Sequence, residues 1–200
     1  MLYKVRPMSR DDVAQVTAID REAFPTMWPP MNYHRELENQ MAFYMVAVYS
    51  PPQENGGVVF PQDPKPSNWL KNKLSRHNVT GAVETIAGFA GFWMMAGEAH
   101  IISLAVKKEH RRRGLGNLLL INVVIEAIQR DAEIVTLEVR TSNFEAQNLY
   151  FKHGFISKGV RRAYYTDNRE DALIMTLDNV NSQDCCQRFD SARKALETAL

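Results

Sequence analysis

The rhythm of apolar and polar positions changes repeatedly along the 200 residues, and each change marks an element. Leu2 to Arg6 alternates weakly and predicts a first strand. Ser9-Arg10-Asp11-Asp12 has the form of a capping box, with Ser9 as N-cap and Asp12 as the acid three positions on. Val13, Val16, Ala23 and Phe24 then recur on one helical face, and Pro25 ends that helix. A short helix follows from Tyr33 to Gln40, then a strand from Ala42 to Val48. Ile86 to Met95 is a strand in which Gly88 and Gly91 mark a bulge or a close approach. Gly97-Glu98 turns the chain back into the strand Ile101 to Val106. The next helix opens at Arg113-Gly114-Leu115-Gly116. Leu115, Leu118, Leu119, Val123 and Ile125 make most of it apolar, while Asn122, Glu126, Gln129 and Arg130 form one polar stripe. Ile134 to Val139 is a strand. Asn143 is an N-cap for a helix from Phe144 to His153, which Gly154 ends as the first residue beyond it. Phe155 to Tyr165 and Asp171 to Leu177 are a final strand pair. Gln183 to Leu200 is a last amphipathic helix with Phe189, Ala192 and Leu196 on one side. The order β-α-α-β-β-β-α-β-α-β-β predicts an α/β fold with a mixed sheet.

Residues 50–80 break this rhythm. Five of the nine prolines lie between Pro51 and Pro66, with Gly56-Gly57 among them, so the stretch reads as an insertion in one domain. Within it, Trp69, Leu70 and Leu74 with Lys71, Lys73 and Arg76 could form a basic amphipathic segment. The length suits a single core. Hydrophobic content of 45%, charged content of 24% and a net charge of +1 fit a globular protein with no global field for nucleic acid or anionic membrane. No apolar run is long enough for a transmembrane helix, and the first residues lack the apolar core of a signal peptide. Cys185 and Cys186 are adjacent and are the only cysteines, so no metal spacing exists and no metal is expected. A cytoplasmic, reducing setting fits.

Chemistry concentrates at His100 to Asn117, HIISLAVKKEHRRRGLGN. A strand leading through a glycine-containing loop to a helix N-terminus presents unpaired N–H groups and the positive end of the helix dipole. Arg111, Arg112 and Arg113 add fork-shaped donors suited to phosphate oxygens, and Gly114 and Gly116 let an anion approach the backbone around Leu115. No Lys-Ser/Thr follows Gly116, so this is not a P-loop, nor is it a dinucleotide GxGxxG. Far upstream, the run from Phe24 to Tyr33 combines prolines with exposed-looking aromatics. Phe24, Pro25, Trp28 and Tyr33 read as a binding lip, with Trp28 and Phe24 alternatively folded back onto the core.

Five segments fall in one order and spacing: Leu104-Ala105-Val106; Arg111-x-x-Gly114-x-Gly116; Leu137-Glu138-Val139-Arg140-x-Ser142-Asn143; Leu149-Tyr150-x-x-x-Gly154-Phe155; and Tyr164-Tyr165. Together they resemble the GNAT family of acetyl-CoA-dependent N-acetyltransferases. More narrowly they resemble its RimI-type branch, which acetylates protein N-termini. The resemblance covers about residues 1–180 apart from the insertion, leaving 181–200 as a helical extension. It implies a GNAT fold, with a mostly antiparallel sheet flanked by helices, and acetyl-CoA as co-substrate. The pyrophosphate is expected on the Arg111–Gly116 backbone, the pantetheine arm along Leu104, Ala105 and Val106, and Asn143 on that arm. It implies that the 101–106 and 134–139 strands splay apart around the thioester. The lip and Tyr164-Tyr165 are expected to line the acceptor groove.

Transfer to an amine needs a neutral nucleophile, an oxyanion donor and a proton for the leaving thiolate. Glu138 stands among apolar neighbours, where desolvation is expected to raise its pKa toward a general base's range. The resemblance assigns that role to Glu138, proton donation to Tyr150 and a helper's place to His100. An α-amine, with a pKa near ~8 against ~10.4 for lysine, is an acceptor that one carboxylate can serve. The expected partner is therefore a protein N-terminus, a ribosomal protein's among them, in direct transfer through a ternary complex. Two alternatives stand beside it: a GNAT acting on a small-molecule amine, and a non-catalytic acyl-CoA-binding sensor. The acceptor's identity and the oligomeric state are not legible.

Overall fold

The computed structural model describes residues 2–26, 30–51 and 84–199. The expected insertion and Trp28 fall almost wholly or entirely outside these residues. Seven strands form one sheet in the order β1-β2-β3-β4-β5-β7-β6, all neighbours antiparallel except β4 and β5. They are β1 (Tyr3–Pro7), β2 (Ala42–Tyr49), β3 (Thr85–Met95), β4 (Glu98–Val106), β5 (Ile134–Arg140), β6 (Ile156–Tyr165) and β7 (Glu170–Asp178). The helices are α1 (Val13–Ala23), α2 (Tyr33–Glu36), α3 (Leu115–Gln129), α4 (Phe144–Lys152) and α5 (Gln183–Ala199). The expected element order holds throughout. The α2 helix ends four residues before Gln40, because the chain turns at Glu38 to bring Ala42 onto the sheet.

Two apolar layers sandwich the sheet. On one face α3, α4 and α5 bury Leu115, Leu119, Ile121, Val124, Tyr150, Phe155 and Phe189 against Val135, Leu137 and Val139. On the other, α1 and α2 bury Val16, Ile19 and Tyr33 against Tyr44, Val46, Phe89 and Ala105. The C-terminal helix is therefore part of the core: Phe189 is fully buried and α5 packs along α3. The two glycines of β3 serve close approach. A Cβ at Gly91 would stand 2.2 Å from the Tyr44 ring, and one at Gly88 2.7 Å from the Ala105 carbonyl oxygen. The β3–β4 register also shifts between Gly91 and Phe92.

That packing sets up the site. The β4–β5 ladder runs only from Glu98/Ile134 to Ile101/Leu137. Beyond it the two strands keep other partners, β3 and β7, and separate from one another. The expected splay is present, with the ends of β4 and β5 on its two sides.

Candidate active site

The gap between β4 and β5 has a backbone wall. The Lys107 N–H donates to the Ala87 carbonyl, 2.9 Å away, so odd-numbered positions of terminal β4 face β3. In an antiparallel ladder the alternate positions turn their polar groups the other way. The N–H and C=O groups of Leu104 and Val106 are thereby aimed at the gap, while those of Ala105 belong to the sheet. One of them is already used: the Arg111 side chain donates Nε–H to the Val106 carbonyl at 3.0 Å.

After β4 the chain makes a short 3-10 turn, Lys108–His110, and then enters α3. Arg112 and Gly114 both have positive φ, 61° and 83°. This winding turns successive N–H groups into one concavity ahead of the helix N-terminus. Gly114 is the N-cap. Gly116 stands in the first turn of α3, where a Cβ would meet Leu149 at 3.4 Å. The arginine side chains are exposed and held in different directions: Arg112 donates to Glu145 at 2.6 Å and Arg113 to the Tyr3 hydroxyl at 3.3 Å. The backbone of this turn, more than a fan of guanidinium groups, fits an anion. Asn143 caps α4, its side chain accepting from the Ala146 N–H at 3.2 Å, with its own N–H bonded to the Arg140 carbonyl. Glu145, one turn into α4, reaches back to Arg112, so the two helix N-termini lie together.

Glu138 alternates with Leu137 and Val139 and so points to the sheet face opposite α3. Its carboxylate is 6% exposed and lies between two partners: Nε2 of His100 at 2.6 Å and Nε of Arg161 at 3.0 Å. Burial pushes its pKa up, as expected from its apolar neighbours. The hydrogen bond and charge of His100, with Arg161 behind them, outweigh that and hold it below the ordinary carboxylate range. The expectation of a raised pKa is overturned because it counted desolvation and not the partners. His100 is the more open member of the pair, 31% exposed at its side chain. Tyr150 is buried on the other face, its ring against Phe155. Burial and the neighbouring Tyr165 push its phenol pKa up, so it keeps its proton across the working range.

Tyr164 and Tyr165 pack edge-to-face, 5.2 Å between ring centroids. Arg161, which holds Glu138 at 3.0 Å, has its guanidinium carbon 5.6 Å from the Tyr164 ring centroid, which puts the pair on the Glu138 side; burial and the charge of Glu138 raise the Tyr164 pKa. Tyr165 lies under the Arg140 guanidinium, 3.8 Å from the ring centroid. The lip divides. Phe24 is half-buried against the α1 layer and Pro25 is exposed in a turn. Tyr33 is 1% exposed and donates to Asp20 at 2.7 Å, so it is a core residue and offers no ring to a ligand. A neighbour of Pro25 makes the contact that matters: Thr26 donates to Asp167 in the β6–β7 turn at 2.7 Å.

Two residues without an expected role organise this side. Arg140 donates to both Asp167 oxygens at 3.0 Å and to Glu170 at 3.1 Å, pinning the β6–β7 hairpin to β5. Arg161 closes the far side of Glu138. Arg140 stands inside the motif read from the sequence. Arg161 had no signal there beyond its nearness to Tyr164-Tyr165.

The matches to known proteins decide the family. The model of the acetyltransferase (GNAT) family matches residues 14–155. The chain belongs to the GNAT acetyltransferase family. A Bacillus subtilis protein provisionally named a ribosomal protein bS18-alanine N-acetyltransferase is 34% identical over 172 residues, 86% of this chain and 92% of that one. An N-alpha-acetyltransferase of Sulfurisphaera tokodaii is 32% identical over 175 residues, 86% of this chain and 91% of its own length. The crystal structure of the Escherichia coli ribosomal-protein-S18-alanine N-acetyltransferase shares the fold with a TM-score of 0.62 at 24% identity, covering 89% of this chain and 94% of that one. The protein is an N-acetyltransferase of GNAT fold with RimI-type relatives. Among the described residues no helix is long and apolar enough to cross a membrane.

Proposed function

We propose that the protein transfers the acetyl group of acetyl-CoA to the α-amine of a protein N-terminus. One observation carries this reading: a buried carboxylate, Glu138, paired at 2.6 Å with the more open His100, beside Tyr164-Tyr165 and the β4–β5 gap. The residues fit the co-substrate. The N–H groups wound around Arg112 and Gly114 suit a pyrophosphate, and the gap-facing groups of Leu104 and the Val106 N–H suit an amide-bearing arm. Acetyl-CoA supplies the activated acyl carbon as a thioester.

The chain's own groups divide the remaining work. His100 receives the amine's proton, directly or through water, and the Glu138 carboxylate fixes the imidazole and stabilises its charge. A carboxylate held low in pKa suits that orienting task better than it suits solitary proton abstraction. A gap-facing N–H of Leu104 or Val106 is the oxyanion donor. Tyr150 holds a proton to pass to the departing sulfur. An α-amine is about a tenth free base at neutral pH, and lysine far less, so this apparatus matches an N-terminus. The names of the relatives point to the same acceptor, a ribosomal protein in one case, and a cytoplasmic setting accords with it.

The test is acetylation of an N-terminal peptide library by the purified protein, read by mass spectrometry beside a panel of small amines. Acetylated α-amines are expected. Turnover confined to polyamines, amino sugars or free amino acids would refute the acceptor assignment, and tight coenzyme A binding with no transfer would refute the enzyme's role in acetylating any of them.

A further inference from the structure

The turn from Lys107 to Gly114 is mostly exposed, and His110 is its one buried residue. The imidazole lies 4.9 Å from the Tyr49 ring and edge-on to Tyr3 at 5.7 Å, centroid to centroid. Tyr3, in the edge strand β1, is itself 3% exposed and stands opposite Tyr49 in the sheet. Its hydroxyl lies 3.0 Å from His110 Nδ1 and receives Arg113 at 3.3 Å. Arginine can only donate. The tyrosine oxygen therefore accepts from Arg113, and it shares a second hydrogen bond with His110 Nδ1 whose direction follows the imidazole tautomer. The two bonds join the first strand to the turn that precedes α3.

We propose that Tyr3 and His110 are positioning residues for acetyl-CoA: through this relay they fix Arg113 and the winding of the phosphate-facing turn. The proposal rests on the assignment of that turn to the co-substrate. Three exposed arginines on a glycine-containing turn would otherwise sample many arrangements, and each bound phosphate would have to order them. Ordering the turn beforehand removes that cost from binding. The Arg111 bond to Val106 fixes the other end of the same turn. Burial lowers the His110 pKa, which favours the neutral imidazole in this packed position. Neither residue approaches the Glu138 side, so their effect belongs to co-substrate affinity alone.

Tyr3→Phe removes one hydroxyl and keeps the ring. It is expected to raise the KM for acetyl-CoA and the Kd for coenzyme A by about three- to tenfold, the scale of one ordinary hydrogen bond, with kcat and acceptor KM unchanged. In an Arg113→Ala background the same change is expected to have a smaller effect, because only the Tyr3–His110 bond is then left to lose. His110→Asn, which keeps an acceptor near Nδ1, should retain affinity that His110→Leu loses. An unchanged co-substrate KM in Tyr3→Phe, or equal effects with and without Arg113, would overturn the relay. Hydrogen exchange with and without coenzyme A separates this failure from the larger one. Protection at 111–116 alongside an inert Tyr3→Phe leaves the co-substrate site standing and removes the relay, whereas protection elsewhere removes both.

Discussion

The turn proposed to face phosphate and the sheet surface proposed to face the amine are built by opposite means. The turn is a run of consecutive residues, 107–116, whose usable groups are backbone N–H donors exposed by two positive φ angles. The amine side collects Thr26, His100, Glu138, Arg140, Arg161, Tyr164 and Asp167 from five parts of the chain, and its usable groups are side chains. A site made of backbone depends on conformation and tolerates many side-chain changes. A site made of side chains tolerates local strain and fails when one partner is replaced.

The largest expected effect tests the side-chain half. Glu138→Gln keeps the shape and a hydrogen bond to His100 but removes the charge that faces His100 and Arg161. A fall in kcat/KM of about 100-fold or more is expected with an N-terminal peptide, from the usual size of positioned acid–base catalysis, with acetyl-CoA KM little changed. Full turnover would mean that the amine is deprotonated elsewhere. The same carboxyl gives a pH signature. Its folded pKa is depressed, so its contribution to stability is complete above the unfolded value and is lost as pH falls through the folded one. The Tm difference between wild type and Glu138→Gln should stay constant at neutral pH and close as pH drops below about 4, the unfolded glutamate range. A gap that closed between neutrality and pH 6 would contradict a depressed carboxyl.

Next in size is the backbone half. Gly114→Ala puts a Cβ on a residue with φ 83°, a penalty of roughly 1–2 kcal/mol for an L-residue. The turn is expected to rewind, raising the acetyl-CoA KM by about tenfold with acceptor KM unchanged. An equal rise in both constants would break the division between the two halves.

The same division explains what could be read before the fold was known. The phosphate-facing turn was legible because strand, glycines and helix start are contiguous, and local chemistry shapes a local backbone. Asn143 as N-cap and Gly154 as helix terminator were legible for the same reason. Element order followed from periodicity, and even the close approach at Gly91 followed from a glycine in a strand. The Glu138 environment was only partly legible: His100, 38 positions away, was named through the family resemblance alone, and Arg161 arrives from β6 across a strand crossover with no pattern along the chain to announce it. Tyr33 was misplaced on the lip because an aromatic near prolines looks alike whether it faces solvent or, as here, donates to a buried Asp20. The family motif carried Arg140 as a letter, but its task of pinning the hairpin through Asp167 and Glu170 appears only when β7 lies beside β5.

The smallest expected effects probe how the amine side is held shut. Tyr164→Phe removes an exposed hydroxyl near Glu138 and should raise acceptor KM about two- to tenfold, one neutral hydrogen bond's worth. Thr26→Val removes only the bond from the α1–α2 segment to Asp167, both of whose oxygens Arg140 Nη2 still holds. Asp167 keeps its place, so the hairpin stays pinned and only the lip is released. Acceptor KM should rise less than about threefold, since an exposed hydrogen bond is worth under a kcal/mol, and co-substrate KM should not move. Arg140→Lys removes the fork that holds Asp167 through Nη2 and Glu170 through Nη1 and should exceed Thr26→Val in acceptor KM. If the two changes matched, the lip contact would be holding the hairpin and Arg140 would be incidental. If Arg140→Lys instead raised the acetyl-CoA KM, the hairpin and the Asn143 end of β5 would be one mechanical unit, and the separation between the two halves would fail at that corner.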